Sequence, residues 1–319
     1  MKLARYIGNG RIEIAEEAVP SLPTGGLLIQ TEASGLCSGE LMPWYMDQKI
    51  PHVLGHEVAG IVIESEDGRF PVGSRVFPHH HAPCLQCELC AQGLYVHCPQ
   101  WRKTKLNPGA MAEFFAVSAE NLNDTLLVDD MRPVDAALIE PLACVMKSLR
   151  MSEDGREGRS TAVIGLGVMG LMHALALGEG CIGYDLNVGR VAWANQVGAN
   201  ARTPSDSVPA DAIYVCPGSQ AAFDFAVSLA KPGATIVMFA PLGPGQELKV
   251  PQSVYFKDIR IVQSYSCGPN DTLAAATALR AGVFKAEQVV SNFIAIEELP
   301  AAYEEMKHGR ILKPMVQFP

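Results

Sequence analysis

Followed from end to end, the apolar and polar positions of this chain show two textures. Up to about residue 120, short apolar runs are punctuated by Gly and Pro, as in Leu27-Leu28-Ile29, Val58-Ala59-Gly60-Ile61-Val62-Ile63 and Val72-Gly73-Ser74-Arg75-Val76-Phe77. Such runs predict strands joined by turns, without the long periodic segments that helices need. After about residue 130 the pattern alternates. Pro133 suits a first helical turn and opens a predicted helix running toward Leu149. Residues 160–164 then predict a buried strand, followed by an Ala/Leu-rich helix through Leu177. Further strands are expected at 181–184, 212–216 and 234–239, with helices at 188–197 and 221–229. Strands alternating with helices imply a doubly wound parallel sheet. The tail predicts a strand at 293–296, a charged helix at 297–307 and a last strand at 314–318. The expected division is a β-rich domain over 1–145, a doubly wound domain over 146–285, and a return to the first domain over 286–319.

Composition narrows the classes. A chain of 319 residues suggests about two domains, and 48% hydrophobic residues can bury a sizeable core. The formal net charge of −9 argues against a nucleic-acid or anionic-membrane surface. The N-terminal stretch turns polar too soon for a signal peptide, and the chain holds no charge-free apolar run of about 18 residues. A cytoplasmic protein without nucleic-acid or membrane partners is expected.

The chemistry begins with Cys84, Cys87, Cys90 and Cys98. Two-residue gaps let neighbouring thiolates converge on one ion, and the longer gap lets a small lobe, about 80–100, wrap back to close it. Four thiolates make a structural zinc site with no open position. Gly165, Gly167 and Gly170 then form G-x-G-x-x-G between a predicted strand and helix, with Asp185 at the next strand end. That context predicts a dinucleotide site: a tight turn, close approach of backbone to pyrophosphate, and close helix packing. Asp185 would bond the adenosine ribose and repel a 2′-phosphate, which favours NAD over NADP. Arg190 is a candidate for the adenine or a phosphate. A second metal site is expected from Cys37 and from His56 in Gly55-His56-Glu57, with Glu140 able to supply a carboxylate beside Pro141. Cys144, one helical turn past Glu140, is a rival ligand. Three consecutive histidines, His79, His80 and His81, do not easily converge on one ion and are expected to lead into the lobe. Trp44, Tyr45 and Trp101 are candidates for shaping a pocket or for core packing, and Glu40 for a substrate hydroxyl or a surface charge.

The order of Cys37, Gly55-His56-Glu57, the four-cysteine lobe, Glu140-Pro141-Leu142, the glycine motif and Asp185 resembles the zinc-dependent medium-chain dehydrogenases over essentially the whole chain. It is most similar to their sorbitol, polyol and threonine dehydrogenase branch. The resemblance implies a GroES-like catalytic domain, a Rossmann domain and an active site in the cleft between them. It implies two zinc ions per chain. The catalytic one would be held at Cys37 and His56, with Glu57 or Glu140 as a further, exchanging ligand. The chain departs from the family at Gly39, where a Ser or Thr relay residue usually stands, so Ser38 and Glu57 become the candidates for moving a proton outward. The expected reaction is oxidation of a secondary, polyol-like alcohol to a ketone with hydride transfer to NAD. A threonine or simple-alcohol dehydrogenase and a non-catalytic NAD-binding scaffold are the alternatives. A homodimer or homotetramer is expected.

Overall fold

Short apolar runs between residues 161 and 263 pair as six parallel strands in the computed structural model, which describes residues 1–319. Across the sheet they run Ala201–Arg202, Cys181–Tyr184, Thr161–Ile164, Ala210–Val215, Ala230–Met238 and Arg260–Gln263. The strand first in sequence, Thr161–Ile164, pairs on one side with Cys181–Tyr184 and on the other with Ala210–Val215. The winding therefore reverses beside it, which creates the switch point where doubly wound folds bind ligands. Ile164, Ile213, Val215, Phe223 and Ile236 share one buried cluster. The outermost strands are a two-residue pair and a half-exposed Arg-Ile-Val-Gln stretch, too short or too polar to be predicted from their pattern. These elements belong to one unit, Cys144–Ser266.

Met1–Ala143 with Cys267–Pro319 forms the other unit. Its main sheet runs Asn292–Ile294, Pro314–Gln317, Leu27–Gly35, Glu57–Ser65, Arg75–Pro78 and Thr125–Leu127. All neighbours are antiparallel except the first pair. Alternate residues such as Leu27 and Ile29, with Val58, Val62, Val76 and Phe115, bury one shared core, as the two-residue side-chain period requires. The register matters most at Gly35. It lies opposite Glu57 on one side and opposite Met315 on the other. The ends of three adjacent strands, and the loops leaving them, thereby meet at one place.

Two expectations differ in detail. The helix from Pro133 is interrupted: Pro133–Ala136 ends before Ile139–Ser152 begins. Pro141 sits in the first turn of the second helix, where a missing N–H costs nothing. The return to the first unit begins at Cys267, earlier than the 286 read from the pattern. The stretch just after 266 is tied to that unit: Thr272 Oγ1 donates to Asp124 Oδ1 at 2.6 Å and Arg280 pairs with Asp130 at 2.8 Å. No helix is long and apolar enough to cross a membrane.

Candidate active site

Cys37 follows the strand that ends at Gly35, and His56 immediately precedes the strand paired with it. The Cys37, His56 and Glu57 ligand atoms lie within 4.8 Å of one another. Glu40 lies behind them, only 3% exposed. Its Oε1 is 3.4 Å from His56 Nδ1 and accepts from the Gly55 N–H at 2.8 Å, while Oε2 accepts from the Cys37 N–H at 3.2 Å. Burial works against a charge on Glu40, yet the His56 ring and the Gly55 N–H hold its carboxylate below the usual range. A carboxylate on one ring nitrogen leaves the other for a metal, the usual outer support of a metal-binding histidine. Glu40 is thus neither a surface charge nor a group turned toward substrate. Its signal was present in sequence as a Glu three residues after a capping position, and Cys37 does cap the turn Ser38–Leu41.

Lys313 is a second residue the pattern missed. It is 1% exposed, donates to the Leu36 carbonyl at 3.0 Å and forms a close ion pair with Glu57. A lone Lys inside Ile311-Leu312-Lys313-Pro314-Met315-Val316 was the available clue. Gly35 makes room for this pair: a Cβ there would lie 2.6 Å from Glu57 Oε2 and 2.9 Å from Lys313 Cε. Burial pushes the Cys37 thiol above its usual value. Ser38 opens the turn next to the thiol, half buried. The Gly39 N–H points at Cys37 Sγ, 3.4 Å away.

Glu140, 6% exposed, is grouped with His79 and Cys267 rather than with Cys37 and His56. Burial and the nearby Glu57 raise its pKa, against the opposing pull of His56. Cys144 belongs to none of the metal-capable clusters. The three histidines pack against one another but take different partners. His79 Nδ1 bonds Asp124, the His80 ring lies 4.6 Å from that of His56, and His81 Nδ1 donates to the Thr104 carbonyl. Trp101 is 2% exposed and packs with Cys90, Val96 and Cys98, so it is the core of the lobe and not a pocket wall. Trp44 and Tyr45 are both 43% exposed.

Cys84, Cys87, Cys90 and Cys98 gather as one cluster. Sγ separations of 3.5 Å for Cys87–Cys90 and 4.0 Å for Cys84–Cys90 bracket the roughly 3.8 Å edge of a tetrahedron with Zn–S bonds of about 2.3 Å. The Gln86 and Cys87 N–H groups bring the Cys84 thiol down to about 6. The lobe's donor set and spacing fit a zinc ion. The Cys37, His56 and Glu57 set, with its outer carboxylate, fits a second.

The glycine motif behaves as its spacing requires. Gly165 has φ +84°, and a Cβ on Gly170 would lie 1.7 Å from the Gly165 carbonyl oxygen. A Cβ on Gly167, by contrast, would meet nothing within 4 Å. The chain's own packing does not require glycine there, whereas a pyrophosphate lying on that backbone does. The helix Val168–Leu177 has no side-chain cap at its N-terminus, which leaves its first N–H groups free for an anion. Asp185 accepts from the Leu166 and Asn187 N–H groups, each at 2.7 Å, which pins it beside the glycine turn. Arg190 Nη1 lies 3.7 Å from it. These residues fit a dinucleotide.

Known proteins resemble this chain over nearly its whole length. Residues 23–126 match the alcohol dehydrogenase GroES-like domain. The chain is 31% identical to D-altritol 5-dehydrogenase of Agrobacterium fabrum, over 94% of each chain. It is 25% identical to sorbitol dehydrogenase of Bacillus subtilis, over 95% of this chain and 93% of that one. The solved structure of galactitol-1-phosphate dehydrogenase from Escherichia coli superposes with a TM-score of 0.86 at 21% identity, covering both chains fully. Over nearly its whole length, therefore, the chain belongs to the zinc-dependent medium-chain dehydrogenases of the alcohol dehydrogenase superfamily.

Proposed function

We propose that this chain oxidises a secondary hydroxyl of a polyol to the ketone, with NAD as the hydride acceptor. The observation that carries the reading is the convergence of Cys37, His56 and Glu57 with Glu40 behind the imidazole. The polyol class is supported by the names of the relatives, which act on altritol and sorbitol. Cys37 and His56 hold the catalytic zinc, with Glu57 as the further carboxylate. The four-cysteine lobe holds a structural zinc. When bound, the catalytic ion supplies Lewis acidity toward a hydroxyl and the nicotinamide supplies the hydride acceptor.

The protein's own part is alignment and proton traffic. Glu40 fixes the His56 ring, so that one nitrogen is always presented. Lys313 holds Glu57 in place, and Ser38, in the turn that Cys37 caps, and Glu57 carry the hydroxyl proton outward. Asp185, pinned by two backbone N–H groups, presents its charge to the adenosine ribose and disfavours a 2′-phosphate, with Arg190 beside it. A cytoplasmic homodimer or homotetramer completes the reading.

The test is NADH formation measured on polyols, threonine and short secondary alcohols, repeated with Cys37→Ala. The expected result is turnover on polyols that falls at least 100-fold in the variant while one zinc per chain remains in the lobe. Undiminished turnover in the variant would overturn the reading. Preference for threonine or a simple alcohol would move the substrate class, and turnover of none would leave an NAD-binding scaffold.

A further inference from the structure

Three buried side chains stand next to the proposed centre. His79 immediately follows the strand Arg75–Pro78, Glu140 lies in the first turn of Ile139–Ser152, and Cys267 opens the return segment. His79 and Cys267 are fully buried. The ligand atoms of all three lie within 4.8 Å of one another.

Cys267 Sγ is 3.6 Å from His79 Nε2. A tetrahedral ion with bonds of about 2.3 Å to sulfur and about 2.05 Å to nitrogen sets those two atoms roughly 3.6 Å apart. The other ring nitrogen is already committed: His79 Nδ1 donates to Asp124 Oδ2 at 2.7 Å. Asp124 is in turn held by Thr272 Oγ1 at 2.6 Å, and the His79 carbonyl accepts from Asn121 Nδ2 at 2.8 Å. This chain of bonds locks the tautomer so that the Nε2 lone pair faces Cys267, the same outer-carboxylate arrangement that Glu40 gives His56.

The geometry points to a third metal position in this chain, held by His79 Nε2, Cys267 Sγ and a Glu140 oxygen. One nitrogen, one thiolate and one carboxylate select a borderline-soft divalent ion, Zn2+ or Co2+, over Mg2+ or Ca2+. Glu140 then serves this ion, and Glu57 remains the carboxylate of the Cys37 and His56 centre. The inference stands whether or not the chain turns over polyols.

The full-length protein is equilibrated with Co2+ or Zn2+, freed of loose ion, and its metal counted per chain by mass spectrometry. Three equivalents are expected for the natural chain, and two for Cys267→Ala. His79→Gln, which keeps a polar side chain of similar reach, is expected to give two as well and covers the case in which Cys267→Ala fails to fold. Cys37→Ala is expected to give two by losing the other ion, and Cys37→Ala with Cys267→Ala one. Loss in Cys37→Ala alone, with Cys267→Ala and His79→Gln both at the natural count, overturns the third position: the 3.6 Å contact is then a thiol–imidazole hydrogen bond.

Discussion

Replacing Lys313 with Met removes the ammonium that faces Glu57 while keeping most of the unbranched stem. The side chains of the pair are 1% and 2% exposed, so solvent does not compensate the carboxylate left behind. Losing one partner of such a pair costs about 3–5 kcal/mol. The Leu36 carbonyl also loses its donor, adding about 1 kcal/mol. Removing both charges is a different matter, because a buried pair replaced by neutral groups of similar volume is often close to neutral. Lys313→Met with Glu57→Gln is therefore expected to be more stable than Lys313→Met alone, with a coupling of about 2–3 kcal/mol between the sites. Thermal melts of the four proteins measure it. For a unit of roughly 200 residues, the single variant is expected to melt on the order of 10 °C lower. Zinc per chain is counted in the same samples, because Glu57 is a candidate ligand. A single variant that loses less than about 1 kcal/mol, or a double variant that is simply additive, refutes the account of Lys313 as the counter-charge that holds Glu57 in place.

Gly170→Ala drives a methyl group against the Gly165 carbonyl oxygen, so NADH affinity measured by fluorescence titration is expected to fall at least tenfold; an unchanged affinity refutes the packing argument. His173 is fully buried, and desolvation brings its pKa down to about 4 despite a hydrogen bond to the Met169 carbonyl. The folded state holds it neutral while the unfolded chain takes up a proton below about 6.5. Stability of the Cys144–Ser266 unit is thus expected to fall by about 3 kcal/mol as pH drops from 6.5 to 4, and denaturant melts of His173→Gln should lack that share of the slope. Leu85 is an exposed non-glycine residue at φ +59° in the first turn of the lobe, so Leu85→Gly is expected to raise stability by about 1 kcal/mol in the same melts, with a loss counting against strain there.

What spacing along the chain determined, it determined because the groups act within a few residues of one another. The four cysteines of the lobe, the three glycines of the turn and Asp185 each belong to one local stretch whose conformation brings them together. The alternation of apolar runs was enough for a doubly wound sheet, since fully buried parallel strands read as continuous apolar segments. Cys37 and His56 were legible as candidates through residue type and order.

Tertiary structure decided the rest. Glu40 reaches His56 only because antiparallel pairing sets Gly35 opposite Glu57. Lys313 enters the same place because the last strand pairs on the other side of Gly35, 278 residues or more from it in sequence yet one strand away in space. Asp124, His79 and Cys267 meet through side chain–side chain contacts that no periodicity encodes. A buried Lys and a buried Glu look like surface charges in a pattern of polar and apolar positions. Their partners come from strand register, and register is settled by which faces of the whole sheet are buried, not by the residues next to them.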